Sequence, residues 1–140
     1  MLLTYRATVS DSQRRVLVVD DSDTIRTLIV LNLELEGFDV HEARDGQECL
    51  DVVDRVAPDV ITMDVAMPRL DGFDAAARLR QSPRTAHIPI VMVTARAQGA
   101  DLSRGAELGV AAYVTKPFEP SFLVEVVRSV ARGNPLPEPR

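Results

Sequence analysis

The hydrophobic pattern of the chain changes its period several times between about residues 14 and 132. Short apolar runs, several of them rich in β-branched residues, alternate with longer stretches of helical periodicity. Continuous apolar runs are typical of strands buried on both faces, whereas strict alternation is typical of a half-exposed edge strand. The continuous runs are residues 16–19, 60–63, 90–93 and, more weakly, 111–114, and the alternating segment is 38–41.

Helical periodicity fills the intervals between these predicted strands. Gly37 follows the first helical stretch as a C-terminal stop, and Ser22 or Asp23 can cap its start. Five strand-then-helix units predict an α/β fold, a parallel sheet with helices on both faces. Because crossovers between parallel strands are right-handed, the favoured fold is a doubly wound, flavodoxin-like (βα)5 architecture with strand order 2-1-3-4-5. The helical stretches lie near residues 23–36, 46–56, 71–82, 99–108 and 119–131.

Length and composition limit the possible number of domains, the cellular compartment and the class of partner. A length of 140 residues suits one domain, expected over residues 14–132, with a flexible leader over 1–13 and a proline-rich tail over 133–140. No apolar run approaches the roughly 18 residues of a membrane helix, and the start lacks a secretory apolar region. The single cysteine, Cys49, excludes an internal disulfide and fits the reducing cytoplasm. A net charge of -5 argues against nucleic acid as a direct partner.

Polar residues follow all five predicted strands, but the second, which ends at Glu42, lies outside the crevice in the favoured strand order. The other four bring polar residues to one rim. Asp20 and Asp21 end the first strand, Asp64 the third, Thr94 the fourth and Lys116 the fifth. In an open parallel sheet, ligands bind beyond the carboxyl ends of the strands, where the strand order reverses. A pair of carboxylates roughly 4 Å apart there costs on the order of 4 kcal/mol at an effective dielectric of about 20, so the cluster predicts a bound cation. Oxygen ligands favour Mg²⁺, and no Cys/His set has zinc spacing.

Lys116 differs from every other basic residue of the chain. The chain has fifteen arginines and this one lysine, which lies at the predicted rim directly before a proline. An ammonium is a compact point charge, whereas a guanidinium is broad and planar. A chance surface lysine is the alternative interpretation, and Thr94 taken alone is an ordinary strand residue. Together with the three aspartates, they favour a site.

These residues belong to four segments that resemble the receiver domain of two-component response regulators. The resemblance covers about residues 14–132, in the order and spacing of that family. The segments are VLVVDD at 16–21, DVAMPRLDG at 64–72, VTA at 93–95 and YVTKPF at 113–118.

The resemblance implies a Mg²⁺-dependent phosphoacceptor. Asp64 would accept a phosphoryl group from a histidine kinase or a phosphotransfer protein. Asp20, Asp21 and Asp64 would hold Mg²⁺ together with the backbone carbonyl of Ala66. The implied protein is not an enzyme, except that it accepts its own phosphoryl group and loses it again. Ala66 occupies one of two positions that, in the family, set how fast water removes the phosphoryl group. Lys116 would pair with the phosphoryl oxygens.

The resemblance also implies how the signal leaves the site. Thr94 would bond to a phosphoryl oxygen, and Tyr113 would then turn inward, which would signal to a downstream protein target. The bond between Lys116 and Pro117 would be cis, which X–Pro bonds tolerate. Arg96 occupies the second of the two positions that set how fast the phosphoryl group is lost.

Three helices are candidates for contact or movement. The first carries apolar side chains over roughly 200° of its circumference, more than core packing requires, and the last is similar. Either both helices simply pack deeply, or the margins of these faces dock the kinase, as the resemblance implies for the first helix. Polar substitution at Leu33 or Val30 is expected to slow phosphotransfer without unfolding the domain. The fourth helix is flanked or interrupted by Gly99, Gly105 and Gly109, and is expected to move on phosphorylation.

Three other functions compete with this interpretation. Residues 21–24 resemble the opening motif of haloacid-dehalogenase-like phosphatases, which would make Asp21 the nucleophile, although the acidic pair that such enzymes carry downstream is missing after Lys116. A flavodoxin-like FMN carrier would need a phosphate cradle where Asp20 and Asp21 repel an anion. The third is a receiver-like module that never accepts phosphate. Identifying the phosphorylated residue separates the receiver from the phosphatase.

Overall fold

The computed structural model describes residues 14–138 and contains one five-stranded parallel sheet. The strand order is β2-β1-β3-β4-β5, which confirms the predicted doubly wound α/β fold. The predicted leader, residues 1–13, lies outside the described residues, and the domain boundaries stay predictions. The strands are β1 (Arg15–Val19), β2 (Asp39–Ala43), β3 (Val60–Met63), β4 (Ile90–Thr94) and β5 (Ala112–Thr115). The helices are α1 (Asp23–Leu35), α2 (Gly46–Val56), α3 (Gly72–Gln81), α4 (Gly99–Glu107) and α5 (Pro120–Arg132).

The central strands are buried on both faces by two separate helical layers. Leu17 of β1 packs with α2 and α3, whereas Val16 and Val18 pack with α1 and α5. This arrangement explains why the central strands have continuous apolar runs without alternation. Cys49 on α2 is fully buried, and burial raises the pKa of its thiol to about 12. The described part of the chain contains no helix that is both long and apolar enough to cross a membrane.

The ends of α1 are those that the sequence predicts. Ser22 is the N-cap, and its hydroxyl accepts a hydrogen bond from the backbone N–H of Ile25 at 3.3 Å. Gly37 follows the helix with a φ of 93°, a left-handed conformation that glycine adopts without strain.

The exposed face of α1 differs from the predicted one. Leu33 is fully buried in the layer that α1 forms with α5, so the expectation that a polar residue there would leave the fold intact is wrong. Val30 is half-buried. The apolar surface that α1 does expose consists of Leu28 (37% exposed), Leu31 (52%) and Leu35 (75%).

Helix α4 contributes little to either layer. Within Gly99–Glu107 only Gly105 is buried. The ring of Tyr113 on β5 lies directly over this glycine, so close that a methyl group at Gly105 would be 2.6 Å from the ring. The helix is therefore held by contacts at its surface more than by a buried face.

Candidate functional site

Three carboxylates meet where the two central strands end. Asp20 and Asp21 follow β1, Asp64 follows β3, and the backbone N–H of Asp64 donates to the carbonyl of Val19 at 3.0 Å. One carboxylate oxygen from each aspartate lies within 4.8 Å of the other two. Asp20 and Asp64 are buried and Asp21 is exposed, so the cluster is open to solvent on one side.

Lys116 bridges two of these carboxylates. Its ammonium donates to Asp20 at 2.8 Å and to Asp64 at 3.0 Å. Its own backbone N–H donates to the carbonyl of Thr94 at 3.0 Å, which joins β5 to the end of β4. The peptide bond between Lys116 and Pro117 is cis. The structure thus brings the lysine that follows β5 to the aspartates that follow β1 and β3.

Lys116 compensates part of the negative charge of the cluster. Burial raises the pKa of Asp20, and hydrogen bonds from Lys116 and from the backbone N–H of Ser22 oppose that rise. Burial pushes the pKa of Lys116 down, but its bonds to Asp20 and Asp64 outweigh burial and raise it above its usual value. The ammonium therefore stays charged at neutral pH and offsets part of the repulsion among the acids.

The donor set fits a hard divalent cation. It consists of carboxylate oxygens within 4.8 Å of one another, with no sulfur or imidazole among them. Mg²⁺ prefers oxygen ligands and keeps several waters, which the exposed side of the cluster at Asp21 can accommodate. Ala66, whose carbonyl is a predicted ligand, lies exposed in the loop between β3 and α3.

Thr94 and Tyr113 lie on neighbouring strands. Thr94 ends β4 almost completely buried, and its hydroxyl accepts a hydrogen bond from the backbone N–H of Arg96 at 3.0 Å. The half-buried Tyr113 donates its hydroxyl to the carbonyl of Asp101 in α4 at 3.1 Å. The tyrosine therefore connects β5 to the weakly packed helix, whereas the threonine lies at the end of β4, where its carbonyl accepts from the backbone N–H of Lys116.

The sequence interpretation missed one residue that supports the site, Arg26 on the inner face of α1. Arg26 is nearly buried, and its guanidinium donates to the backbone carbonyl of Asp20 at 2.8 Å. It also forms ion pairs with Asp23 and with Glu42, which lies on β2. A basic residue between apolar residues of an amphipathic helix is a signal for a buried ion pair, because unpaired charges are almost never buried.

Comparison with known proteins agrees with this geometry. A family model described as the response regulator receiver domain matches residues 16–128. The transcriptional regulatory protein PhoP of Bacillus subtilis, named for alkaline phosphatase synthesis, is 40% identical over 126 residues, which cover 90% of this chain and 52% of PhoP. The transcriptional regulator RpaA of Synechocystis is 39% identical over 118 residues, covering 84% of this chain and 49% of RpaA. The chain thus spans about half the length of these curated relatives.

Solved structures show the same similarity over nearly their whole length. The chemotaxis protein CheY4 of Vibrio cholerae superposes with a TM-score of 0.80 at 32% identity, covering 84% of this chain and 98% of CheY4. A putative response regulator of Chloroflexus aurantiacus also gives a TM-score of 0.80, at 36% identity, covering 85% of this chain and 98% of that protein.

Fold, acidic cluster and sequence similarity together define a phosphorylation-dependent signalling domain. This chain belongs to the family of response regulator receiver domains. The matches give no support to the alternative of a haloacid-dehalogenase-like phosphatase.

Proposed function

We propose that Asp64 is the phosphoacceptor of this domain and that a histidine kinase or phosphotransfer protein supplies the phosphoryl group. A carboxylate oxygen of Asp64 attacks the phosphorus of a phosphohistidine. The N–P bond breaks, its electron pair returns to the imidazole, and an O–P bond to Asp64 forms. The product is an acyl phosphate, which suits a reversible signal. The domain is consumed as a substrate in this transfer and turns over no other molecule.

The observation that carries this proposal is the contact of Lys116 with both Asp20 and Asp64. Phosphoryl transfer asks a protein mainly to position groups and to neutralise charge, and an ammonium 3.0 Å from Asp64 is placed to pair with a phosphoryl oxygen. When bound by Asp20, Asp21, Asp64 and the carbonyl of Ala66, Mg²⁺ would supply further positive charge to the transferred group.

Thr94 and Tyr113 form the proposed switch. The Thr94 hydroxyl accepts one hydrogen bond from Arg96, and its own proton is free to rotate toward a phosphoryl oxygen on Asp64. Tyr113 already touches α4 through Gly105 and Asp101, so a movement of its ring is transmitted to that helix. The output is a changed surface on α4 and β5 for a downstream protein target.

The setting that we propose is the cytoplasm, with proteins as the only partners. The free, buried Cys49 fits a reducing compartment. The net charge of -5 disfavours direct contact with nucleic acid or an anionic membrane surface.

The proposed acceptor is tested by treating the protein with acetyl phosphate and Mg²⁺ and measuring the intact mass. We expect one added phosphoryl group, mapped to Asp64 by fragmentation, and none in Asp64→Asn. Asp51→Asn, which changes an exposed aspartate on α2, is the matched control and should be labelled like the wild type. Label on Asp21 would instead support the phosphatase, and no label on the wild type would indicate a receiver that does not accept phosphate.

A further inference from the structure

The loop that follows Asp64 is fastened to its surroundings at both ends. This loop, residues 65–71, connects β3 to α3 and carries Ala66. The backbone N–H of Gly72 donates to the carbonyl of Val65 at 2.8 Å, and the carbonyl of Leu70 accepts from the N–H of Gly46 at 3.2 Å. The second bond joins the loop to the first residue of α2.

Both glycines sit where no side chain fits. A Cβ on Gly72 would lie 2.1 Å from the carbonyl oxygen of Asp64, and a Cβ on Gly46 would lie 2.4 Å from the carbonyl oxygen of Leu70. Both contacts are with backbone atoms, which cannot rotate away as the end of a flexible side chain can. The start of α3 therefore packs directly against the backbone of Asp64, and the end of the loop packs directly against the start of α2. Because the loop begins directly after Asp64 and is confined at its far end, a displacement of the loop is transmitted to Asp64.

Arg69, in the middle of this loop, has an unusual backbone conformation. Its φ is 66°, in the left-handed region that residues other than glycine, asparagine and aspartate seldom adopt. Its side chain forms two parallel hydrogen bonds to Asp45, one from Nε at 2.9 Å and one from Nη2 at 3.1 Å. Such a two-pronged contact between guanidinium and carboxylate fixes orientation as well as distance.

Asp45 is a rigid anchor for this contact. It is the N-cap of α2, where its side chain accepts a hydrogen bond from the backbone N–H of Glu48 at 2.8 Å. Its side chain is only 11% exposed, and the guanidinium of Arg69 holds the pKa of its carboxyl below the usual range. Arg69 itself is 59% exposed, so the clamp is buried only on its Asp45 side. The ion pair between Arg84 and Asp54 differs in having a single contact of 3.5 Å and an exposed carboxylate as well as an exposed guanidinium.

We propose that Arg69 is a positioning residue for the site: by gripping Asp45 it holds loop 65–71, and with it the Ala66 carbonyl and the Asp64 backbone, in the shape that receives Mg²⁺. The inference rests on the proposed function. Removing a residue that orients the ligands of a metal typically weakens metal affinity about 10- to 100-fold. Because Arg69 acts through a loop, we expect the lower end of that range.

The test compares Arg69→Asn and Asp45→Asn with the wild type. Asparagine tolerates the left-handed conformation at position 69 and still caps a helix at position 45, so each variant removes the clamp and keeps the local backbone. Arg84→Asn, which breaks the exposed ion pair with Asp54, is the matched control. The measurements are amide hydrogen exchange of Gly46 and Gly72 without metal, Mg²⁺ affinity by calorimetry, and the rate of labelling by acetyl phosphate.

Both clamp variants should exchange the Gly46 and Gly72 amides several-fold faster and bind Mg²⁺ about tenfold more weakly. They should approach the wild-type labelling rate at saturating Mg²⁺, and the double variant should add nothing to either single one. Arg69→Lys should keep only part of the wild-type Mg²⁺ affinity, because lysine supplies the charge but cannot form the two parallel hydrogen bonds of a guanidinium.

Unchanged exchange and unchanged Mg²⁺ affinity in both clamp variants would overturn the proposal, as would equal changes in Arg84→Asn. These outcomes differ from a failure of the proposed function. In that case the wild type itself would bind no Mg²⁺ or take no label on Asp64, while the exchange of Gly46 and Gly72 would still report whether Arg69 holds the loop.

Discussion

Among single residues, burial of a polar group has opposite consequences depending on its partners. Arg26 is nearly buried, but oxygens of Asp20, Asp23 and Glu42 satisfy its guanidinium. The hydroxyl of Thr62, in the middle of β3, is buried and has no hydrogen-bond partner. The position of Arg26 between apolar residues of α1 signals that its charge is paired, but the sequence does not identify the partner atoms of either side chain, because other elements supply them.

Replacing Thr62 with valine should stabilise the domain. Valine has nearly the same shape and removes a buried hydroxyl whose desolvation is not compensated, which is worth about 1 kcal/mol. Urea unfolding should show a higher midpoint with an unchanged slope. Thr85→Val is the matched control, because the Thr85 hydroxyl donates to the Leu79 carbonyl at 2.7 Å, and its loss should destabilise. A lower midpoint for Thr62→Val would show that its hydroxyl has a partner in solution.

The clamp between Arg69 and Asp45 should give a characteristic pH dependence of stability. Arg69 lowers the pKa of Asp45 below its usual range, so the pair contributes stability above the unfolded-state pKa and loses it as the pH falls through the lower folded-state pKa. The difference in unfolding free energy between wild type and Arg69→Asn should therefore be present at pH 7 and disappear in stronger acid. Urea titrations across that range measure it, and a difference independent of pH would contradict the ionic origin.

At the scale of elements, the sequence predicts positions well and exposed faces less well. Continuous apolar runs located β1, β3 and β4 to within about a residue, because burial on both faces strongly favours apolar residues there. The second strand runs from Asp39 to Ala43 rather than over 38–41, since its pairing with β1 continues to Val19 opposite Ala43. Leu33 was misplaced because an apolar arc of roughly 200° does not reveal which margin a neighbouring helix covers.

The exposed leucines of α1 are the better test of kinase docking. Leu31→Glu should slow phosphotransfer from the cognate kinase about tenfold, because it places a charge at the centre of the exposed apolar stripe. Labelling by acetyl phosphate, which needs no docking, should stay unchanged. Leu102→Glu, on α4 and 44% exposed, is the control and should transfer normally. Equal transfer rates for Leu31→Glu and wild type would exclude this face.

Two glycines of α4 should respond differently to alanine. Gly99→Ala enters open space and should stabilise the domain by up to about 1 kcal/mol through helix propensity. Gly105→Ala places a methyl group 2.6 Å from the Tyr113 ring, so the ring must move and the gain should be lost. NMR shifts of the Tyr113 ring and urea unfolding measure the two effects. An undisturbed ring with full stabilisation in Gly105→Ala would contradict the contact.

For the whole molecule, the sheet topology determines where most of the site residues lie. A parallel sheet sends every strand's carboxyl end to the same edge, so Asp20, Asp64, Thr94 and Lys116 could be grouped from the sequence alone. The structure brings the aspartates and the lysine into contact. Topology alone does not identify the supporting arginines, because their partner atoms, the Asp20 carbonyl for Arg26 and the Asp45 carboxylate for Arg69, lie on other elements.

Mg²⁺ should stabilise the whole domain if the cluster binds it. A ligand that binds only the folded state at a hundred times its dissociation constant adds about 2.7 kcal/mol. Thermal unfolding should shift upward with Mg²⁺, and much less in Asp21→Asn. Potassium chloride at equal ionic strength controls for screening, and Asp51→Asn controls for the loss of a surface charge. The same upward shift in Asp21→Asn would place the ion elsewhere.

The shallow packing of α4 has an evolutionary consequence. Within that helix only Gly105 is buried, so substitutions at its outward-facing positions should have little effect on the stability of the fold. After gene duplication, the two copies can diverge in partner specificity while both keep the acidic cluster and its lysine. Substitutions on the surface of α4 can therefore change the partner while the phosphorylation chemistry is kept.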